Sequence, residues 1–244
     1  MQSIQEQAAA NFEANIAYIE ANHKSLFEKL LAYESACEKG YYQERYELSF
    51  DDGYFEVVDI KENTKLYNMD SSLYASQVSQ SINLSKKENL FITFKRPVLD
   101  AANPSQKETY PILSYIQSHM PQNERFERVE KFAFFGAGLG VHIASVHEKL
   151  RSNAYLIVED DLELFRLSLF VTPYHKIAKE SRLFLSIFED AKEFAKSAQE
   201  FLNFEFYRNH YIKYFEMLGY KGDKLKEFHL RIISQSHNIF FYRS

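Results

Sequence analysis

The chain has 244 residues, 45% of them hydrophobic, with a formal charge of -5 and one cysteine. That length can bury a sizeable core in one large domain, while the acidic balance argues against a general nucleic-acid binder, which needs a basic face to neutralise phosphates. A lone Cys37 excludes an internal disulfide framework or a cysteine-rich metal site, no apolar run spans a bilayer, and the N-terminus lacks a signal-peptide layout, so a cytoplasmic protein without a membrane span is expected.

From 8 to 36, Phe12, Ile16, Ile19, Leu26, Phe27, Leu30 and Leu31 recur at helical spacing, which predicts one long helix or two broken near "ANHKS". "YELSFDDGYFEVVDIKENTKLYNMD" then alternates apolar and polar residues around Asp52-Gly53 and again around "KENT", the pattern of an antiparallel meander of two or three strands. Next come an expected helix over 71–82, a strand "LFITFK" at 90–95, a loop carrying Pro97 and Pro104, and a helix over 110–120. Two strand-helix-strand units follow: "KFAFF", "VHIASVHEKL", "AYLIVED", "DLELFRLSLF" and "RLFLSIF". Such alternation predicts a parallel sheet. The remainder, from Asp190, reads as helical through "AKEFAKSAQEFLNFEFYRNHYIKYFEML" and "DKLKEFHLRIISQ", with "NIFFYRS" as a closing strand. The expectation is an α/β fold: a Rossmann-like parallel sheet flanked by helices over 71–190, an N-terminal helix plus β-meander unit over 1–70, and a helical C-terminal segment over 191–244.

Three of the seven glycines, Gly136, Gly138 and Gly140, lie in "FFGAGLGVHI" between a predicted strand and a predicted helix. Gly136 and Gly138 would let a ligand approach the backbone, Gly140 would allow close helix packing, and the helix N-terminus would face an anion or polar nucleotide group. Some twenty residues on, Glu159 ends the next strand, where a carboxylate suits ribose hydroxyls. His142 is placed to meet a phosphate. These five residues form the candidate cofactor-binding set, for a nucleotide-like ligand. The competing reading is tight strand-helix packing with Glu159 a solvated strand-end acid. The spacing departs from the dinucleotide G-x-G-x-x-G and disfavours an NAD enzyme; it suits an S-adenosylmethionine-dependent methyltransferase, except that Phe134 stands where that family has its acid.

Other constellations are thinner. His142 and His147 lack an evident third ligand, so no metal site is expected. Asp160 and Asp161 suit the first turn of a helix. Arg208, His210 and Lys213 on "RNHYIKYF" suit a solvated helix face better than an anion site.

The combination "FFGAGLGVHIASV", "YLIVEDDLELFRLSLF" and "LFLSIFED" resembles the N-terminal part of the bacterial motility accessory factor family, flagellin glycosyltransferases. "FEANIAYIEANHKSLFEKL", "YELSFDDGYFEVVD" and "YRNHYIKYFE" resemble the same region, so the likeness covers about 11–235. One departure is Asp160, where the family commonly has Pro after the strand-end acid. The resemblance implies transfer of a nonulosonic acid, such as pseudaminic or legionaminic acid, from its CMP-activated form to Ser or Thr of flagellin. In the family that chemistry belongs to a downstream domain of sialyltransferase-like fold with a "GPSL"-type motif, which this sequence lacks. The chain is thus expected to be the N-terminal portion of a longer protein or a short paralogue, not catalytic alone, with flagellin as partner and a nucleotide or CMP-sugar as the ligand class. No catalytic residue transfers.

Overall fold

A computed structural model describes residues 3–84, 89–92, 111, 115, 128–209 and 211–241. Helix α1 (Ile4–Asn22) opens on a capping box, in which the Ser3 hydroxyl accepts the Glu6 N–H while the Glu6 carboxylate accepts the Ser3 N–H. It stops at His23, whose backbone leaves the helical region, and α2 (Lys24–Glu38) begins at once. Of the two alternatives, one long helix or two broken near "ANHKS", the structure takes the second. Strands β1 (Tyr46–Asp51) and β2 (Tyr54–Asp59) pair antiparallel across Asp52 and Gly53, both at positive φ, and β3 (Thr64–Lys65) returns along β2. Helix α3 (Ser71–Ser81) is capped by Asp70, which accepts from the N–H groups of Ser72 and Leu73.

The main sheet holds β4 (Leu90–Ile92), β5 (Lys131–Phe135), β6 (Ala154–Glu159), β7 (Arg182–Ile187) and β8 (Tyr211–Glu216) in the order β4-β8-β5-β6-β7. The four strands β8, β5, β6 and β7 are parallel; β4 runs antiparallel along β8. Of the three inner strands, β5 and β6 are buried at every position, as the apolar runs 132–135 and 154–158 require of strands covered on two faces. One face packs on α1, α2, α3, α4 (Val141–Leu150), α5 (Leu162–Val171) and α6 (Tyr174–Glu180) through Ile19, Leu30, Val78, Val146, Phe165 and Ile177. The other packs on α7 (Ala191–Asn203) and α8 (Lys224–Phe241) through Phe194, Phe201, Phe228 and Ile232. No helix among the described residues is long and apolar enough to cross a membrane.

The structure corrects the reading of the last third. "YIKYFE", expected within a long helix, is strand β8, seated between β4 and β5. The helix stops because Phe204 turns extended and Glu205 takes a positive φ before a single tight turn at Phe206–Arg208. β-branched and aromatic residues then suit a pleated strand better than a helix. Lys213, expected on a solvated face, is buried, its ammonium on the Asn83 carbonyl. "NIFF", expected as a strand, continues α8 to Phe241. Helix α6, not foreseen, starts after Pro173, which suits an N-terminus. Strand β4 is described as far as Ile92; the rest of the strand at 90–95, the loop after it and the helix over 110–120 lie outside the described residues apart from Pro111 and Tyr115, as do His210 and 242–244.

Buried polar ties fix the N-terminal elements to the sheet layer. Asn15 donates to the Leu169 and Thr172 carbonyls and accepts the His175 N–H. Glu163, buried at the start of α5, accepts the Tyr42 hydroxyl and the N–H groups of Arg45 and Tyr46.

Candidate functional site

From β5 the chain steps outward to β6 and β7, then returns through α7 to place β8 on the other side of β5. The strand order thus reverses between β5 and β8, and the crevice beyond their carboxyl ends is where doubly wound sheets hold ligands. The turn Gly136–Gly140 sits at that point. Gly136, Gly138 and Gly140 all have positive φ, and Gly140 is the N-cap of α4.

What surrounds the turn is protein. A Cβ on Gly136 would lie 2.7 Å from Met217 Cβ, and one on Gly138 would lie 2.7 Å from the Tyr67 hydroxyl and 3.0 Å from Met217 Cε. Gly140 is as tightly packed, against Thr172 and the Tyr174 hydroxyl. The turn's N–H groups are likewise taken. Gly136 donates to the Val158 carbonyl at 2.9 Å and Gly140 to the Ala137 carbonyl at 2.7 Å. Ala137 and Gly138 donate to Glu159 Oε2 at 2.8 and 3.1 Å, and Leu139 donates to the Tyr67 hydroxyl at 2.8 Å. Glu159 is buried, and its other oxygen accepts the Asp161 N–H at 3.1 Å. Burial raises its carboxyl above the ordinary range while these three N–H groups pull the other way.

Of the five residues singled out in sequence, the structure brings Gly136, Gly138, Gly140 and Glu159 into one hydrogen-bonded turn. His142 lies one step inside α4, fully buried, and its ring meets Tyr74, Phe134 and Phe215 at centroid distances of 5.9, 5.6 and 5.2 Å. Burial pulls its pKa down to about 3, so the imidazole is neutral. The Gly136 carbonyl faces the ring as its hydrogen-bond acceptor, while the Tyr74 hydroxyl has no hydrogen-bond partner among the described residues. Phe134 is fully buried against these rings. Asp161 caps α5, accepting from Glu163 and Leu164. Asp160 instead holds the loop after β8, accepting the Tyr220 hydroxyl at 2.8 Å and pairing with Lys224 at 2.5 Å.

Sequence reasoning missed Tyr67, Met217 and Tyr220, which come from distant segments. Tyr67 is positioned by buried Glu56, which accepts its N–H and those of Val57 and Asn68. A glutamate on the inner face of "YFEVVD" was the available signal, because such an acid requires donors that a two-stranded hairpin alone does not supply. Among the described residues no group of three or more His, Cys, Asp or Glu is arranged to hold a metal ion.

Comparison with known proteins fits this geometry into a family. The model of the glycosyltransferase Maf N-terminal domain matches residues 11–213. No curated protein matches the chain. The solved Maf glycosyltransferase from Magnetospirillum magneticum AMB-1 shares the fold, with a TM-score of 0.63 at 16% identity over 96% of this chain and 35% of that one. The chain therefore spans about a third of the length of that relative. Nothing in these comparisons points to a methyltransferase.

Proposed function

This chain belongs to the glycosyltransferase Maf N-terminal domain family, and we propose that it serves O-linked glycosylation of flagellin with a nonulosonic acid, such as pseudaminic or legionaminic acid, as a flagellin-binding module that does not itself carry the transfer chemistry. One observation supports a protein partner over a nucleotide. The crevice that would hold a nucleotide is filled by Tyr67 and Met217, and the main-chain donors of the turn are bound by Glu159 and Tyr67. An anion entering there would have to displace bonds that are already made, with Glu159's own carboxylate standing in the anion's place. Calorimetric titration of unglycosylated flagellin and of CMP into the chain tests this reading. Saturable heat with flagellin and none with CMP is expected; flagellin silence overturns it.

A second reading keeps a nucleotide-like ligand, such as CMP or a CMP-sugar, at Gly136, Gly138, Gly140, Glu159 and His142. It is favoured by the buried Tyr74 hydroxyl, which lies beside His142 and has no hydrogen-bond partner among the described residues, since buried polar atoms without partners are uncommon. It requires Tyr67 and Met217 to swing aside. Protection of the chain from thermal unfolding by CMP would establish it, because a ligand that binds only the native state raises the melting point.

A further inference from the structure

Two of the side chains that fill the crevice, Met217 and Tyr220, belong to one short loop, 217–223, which leaves β8 and leads into α8. A Cβ on Gly136 would meet both, Met217 Cβ at 2.7 Å and Tyr220 Cβ at 3.4 Å. Tyr220 closes a tight turn, its N–H on the Met217 carbonyl at 3.0 Å, and Gly219 supplies a positive φ of +89° at the third position, as one class of such turns requires. The tip stands in solvent, with Leu218 92% exposed and open space around Gly219.

One carboxylate fastens this loop. Asp160, just past the end of β6, accepts the Tyr220 hydroxyl on Oδ2 at 2.8 Å and pairs through Oδ1 with Lys224 at 2.5 Å. Among the described residues, the Tyr220 bond is the only side-chain hydrogen bond from 218–222 to the rest of the chain. Gly222 passes so close to this bond that a Cβ there would collide with the Tyr220 hydroxyl and with Asp160 Oδ2. Lys224 is buried in the first turn of α8, where the helix dipole disfavours a cation, so its ammonium depends on Asp160 as counter-charge. Beneath the loop lie the bare backbone of Gly136 and the carboxylate of Glu159. Glu159 Oε2 already accepts two N–H groups, whereas Oε1 accepts that of Asp161 alone and keeps an acceptor position for a hydroxyl. The group this arrangement suits is a sugar hydroxyl, not a phosphate.

We propose that loop 217–223 is a flap over the glycine turn, locked by Asp160, and that a nucleoside-type ligand reaches Gly136 and Glu159 only when the flap lifts. The inference rests on the nucleotide reading above and adds a gate to it. Met217 and Tyr220 are carried by the same turn, so one movement withdraws both from Gly136. While the flap is shut, the apparent affinity is reduced by the fraction of molecules that are open. The competing account is that Asp160 only anchors the start of α8.

Amide exchange of the full chain, and its thermal unfolding with CMP, separate these. The double variant Asp160→Ala, Lys224→Met removes the acceptor together with the ammonium that would otherwise be left buried without a counter-charge. Tyr220→Phe cuts the lock alone and keeps the pair between Asp160 and Lys224. In both, the Tyr220 amide should exchange about tenfold faster or more, while the amides of β6 stay unchanged. CMP should protect both from thermal unfolding at about tenfold lower concentration than the wild type needs. A Tyr220 amide that exchanges at the wild-type rate in both variants overturns the flap. Protection of variants and wild type at the same CMP concentration overturns the gate and leaves the nucleotide reading standing. A faster Tyr220 amide with no protection of any form by CMP overturns both.

Discussion

The hydroxyl of Tyr67, at the end of the N-terminal meander, accepts the main-chain N–H of Leu139 at 2.8 Å and sits above Gly138. A side chain from the first 70 residues thereby completes the glycine turn of the main sheet. Tyr67→Phe leaves the Leu139 N–H buried without an acceptor, a loss of about 1–3 kcal/mol. Tyr67→Ala adds a cavity beside Met217, and urea unfolding should rank it below Tyr67→Phe, with the wild type highest.

Gly138 combines a φ of +48° with neighbours that leave no room for a side chain. Gly138→Val should lower stability by about 2–5 kcal/mol, the sum of left-handed strain and overpacking. Adding Tyr67→Ala to it should recover part of that loss by clearing the contact at 2.7 Å. A double-mutant cycle by urea unfolding measures the coupling; strict additivity would mean that Tyr67 does not crowd the turn.

Acid should destabilise the chain through two histidines. Burial lowers His142 from 6.5 to about 3 and His23 from 6.5 to about 4. Below pH 6.5 the unfolded chain takes up protons that the native chain refuses, so their contribution is complete above pH 6.5 and is lost as pH falls toward those lower values. Each histidine contributes a slope approaching about 1.4 kcal/mol per pH unit. His142→Phe, apolar like the rings around it, should flatten the pH dependence of the urea midpoint between pH 6 and 4.

Lys131 opens β5 with its ammonium buried against α7, donating to the Phe201 and Phe204 carbonyls and to Asn209 Oδ1. It closes the end of α7 where the chain turns toward β8. Lys131→Met keeps the stem but leaves those acceptors without their donor, so a loss of about 2–5 kcal/mol is expected. Hydrogen exchange should then show β8 and the end of α7 opening ahead of β6.

The strand-turn-helix-strand core was legible because 132–135 and 154–158 are unbroken apolar runs, Gly140 marks the start of α4, and Asp161 caps α5. The two N-terminal helices followed from the spacing of Phe12, Ile16, Ile19, Leu26 and Leu30, although the capping box at Ser3 lies before the residue at which that spacing begins. Strand β8 was hidden, since "YRNHYIKYFE" continues the apolar spacing of α7 and its stop lies in the positive φ of Glu205, a residue with no glycine or proline to announce it. The crevice was legible only by half. Local spacing identified the glycines and Glu159, but what fills the space between them comes from Tyr67 and Met217, some 70 and 80 residues away along the chain in either direction. Such long-range closure carries no local signature beyond the buried acid Glu56.

The claim that this module engages flagellin rather than a nucleotide is tested most directly by one affinity, that of the chain for unglycosylated flagellin measured by calorimetry with and without millimolar CMP. The expected result is saturable binding with the same Kd in both conditions, because the Gly136–Gly140 turn is already occupied from within. An absence of flagellin binding, or a Kd that CMP shifts in either direction, would contradict it.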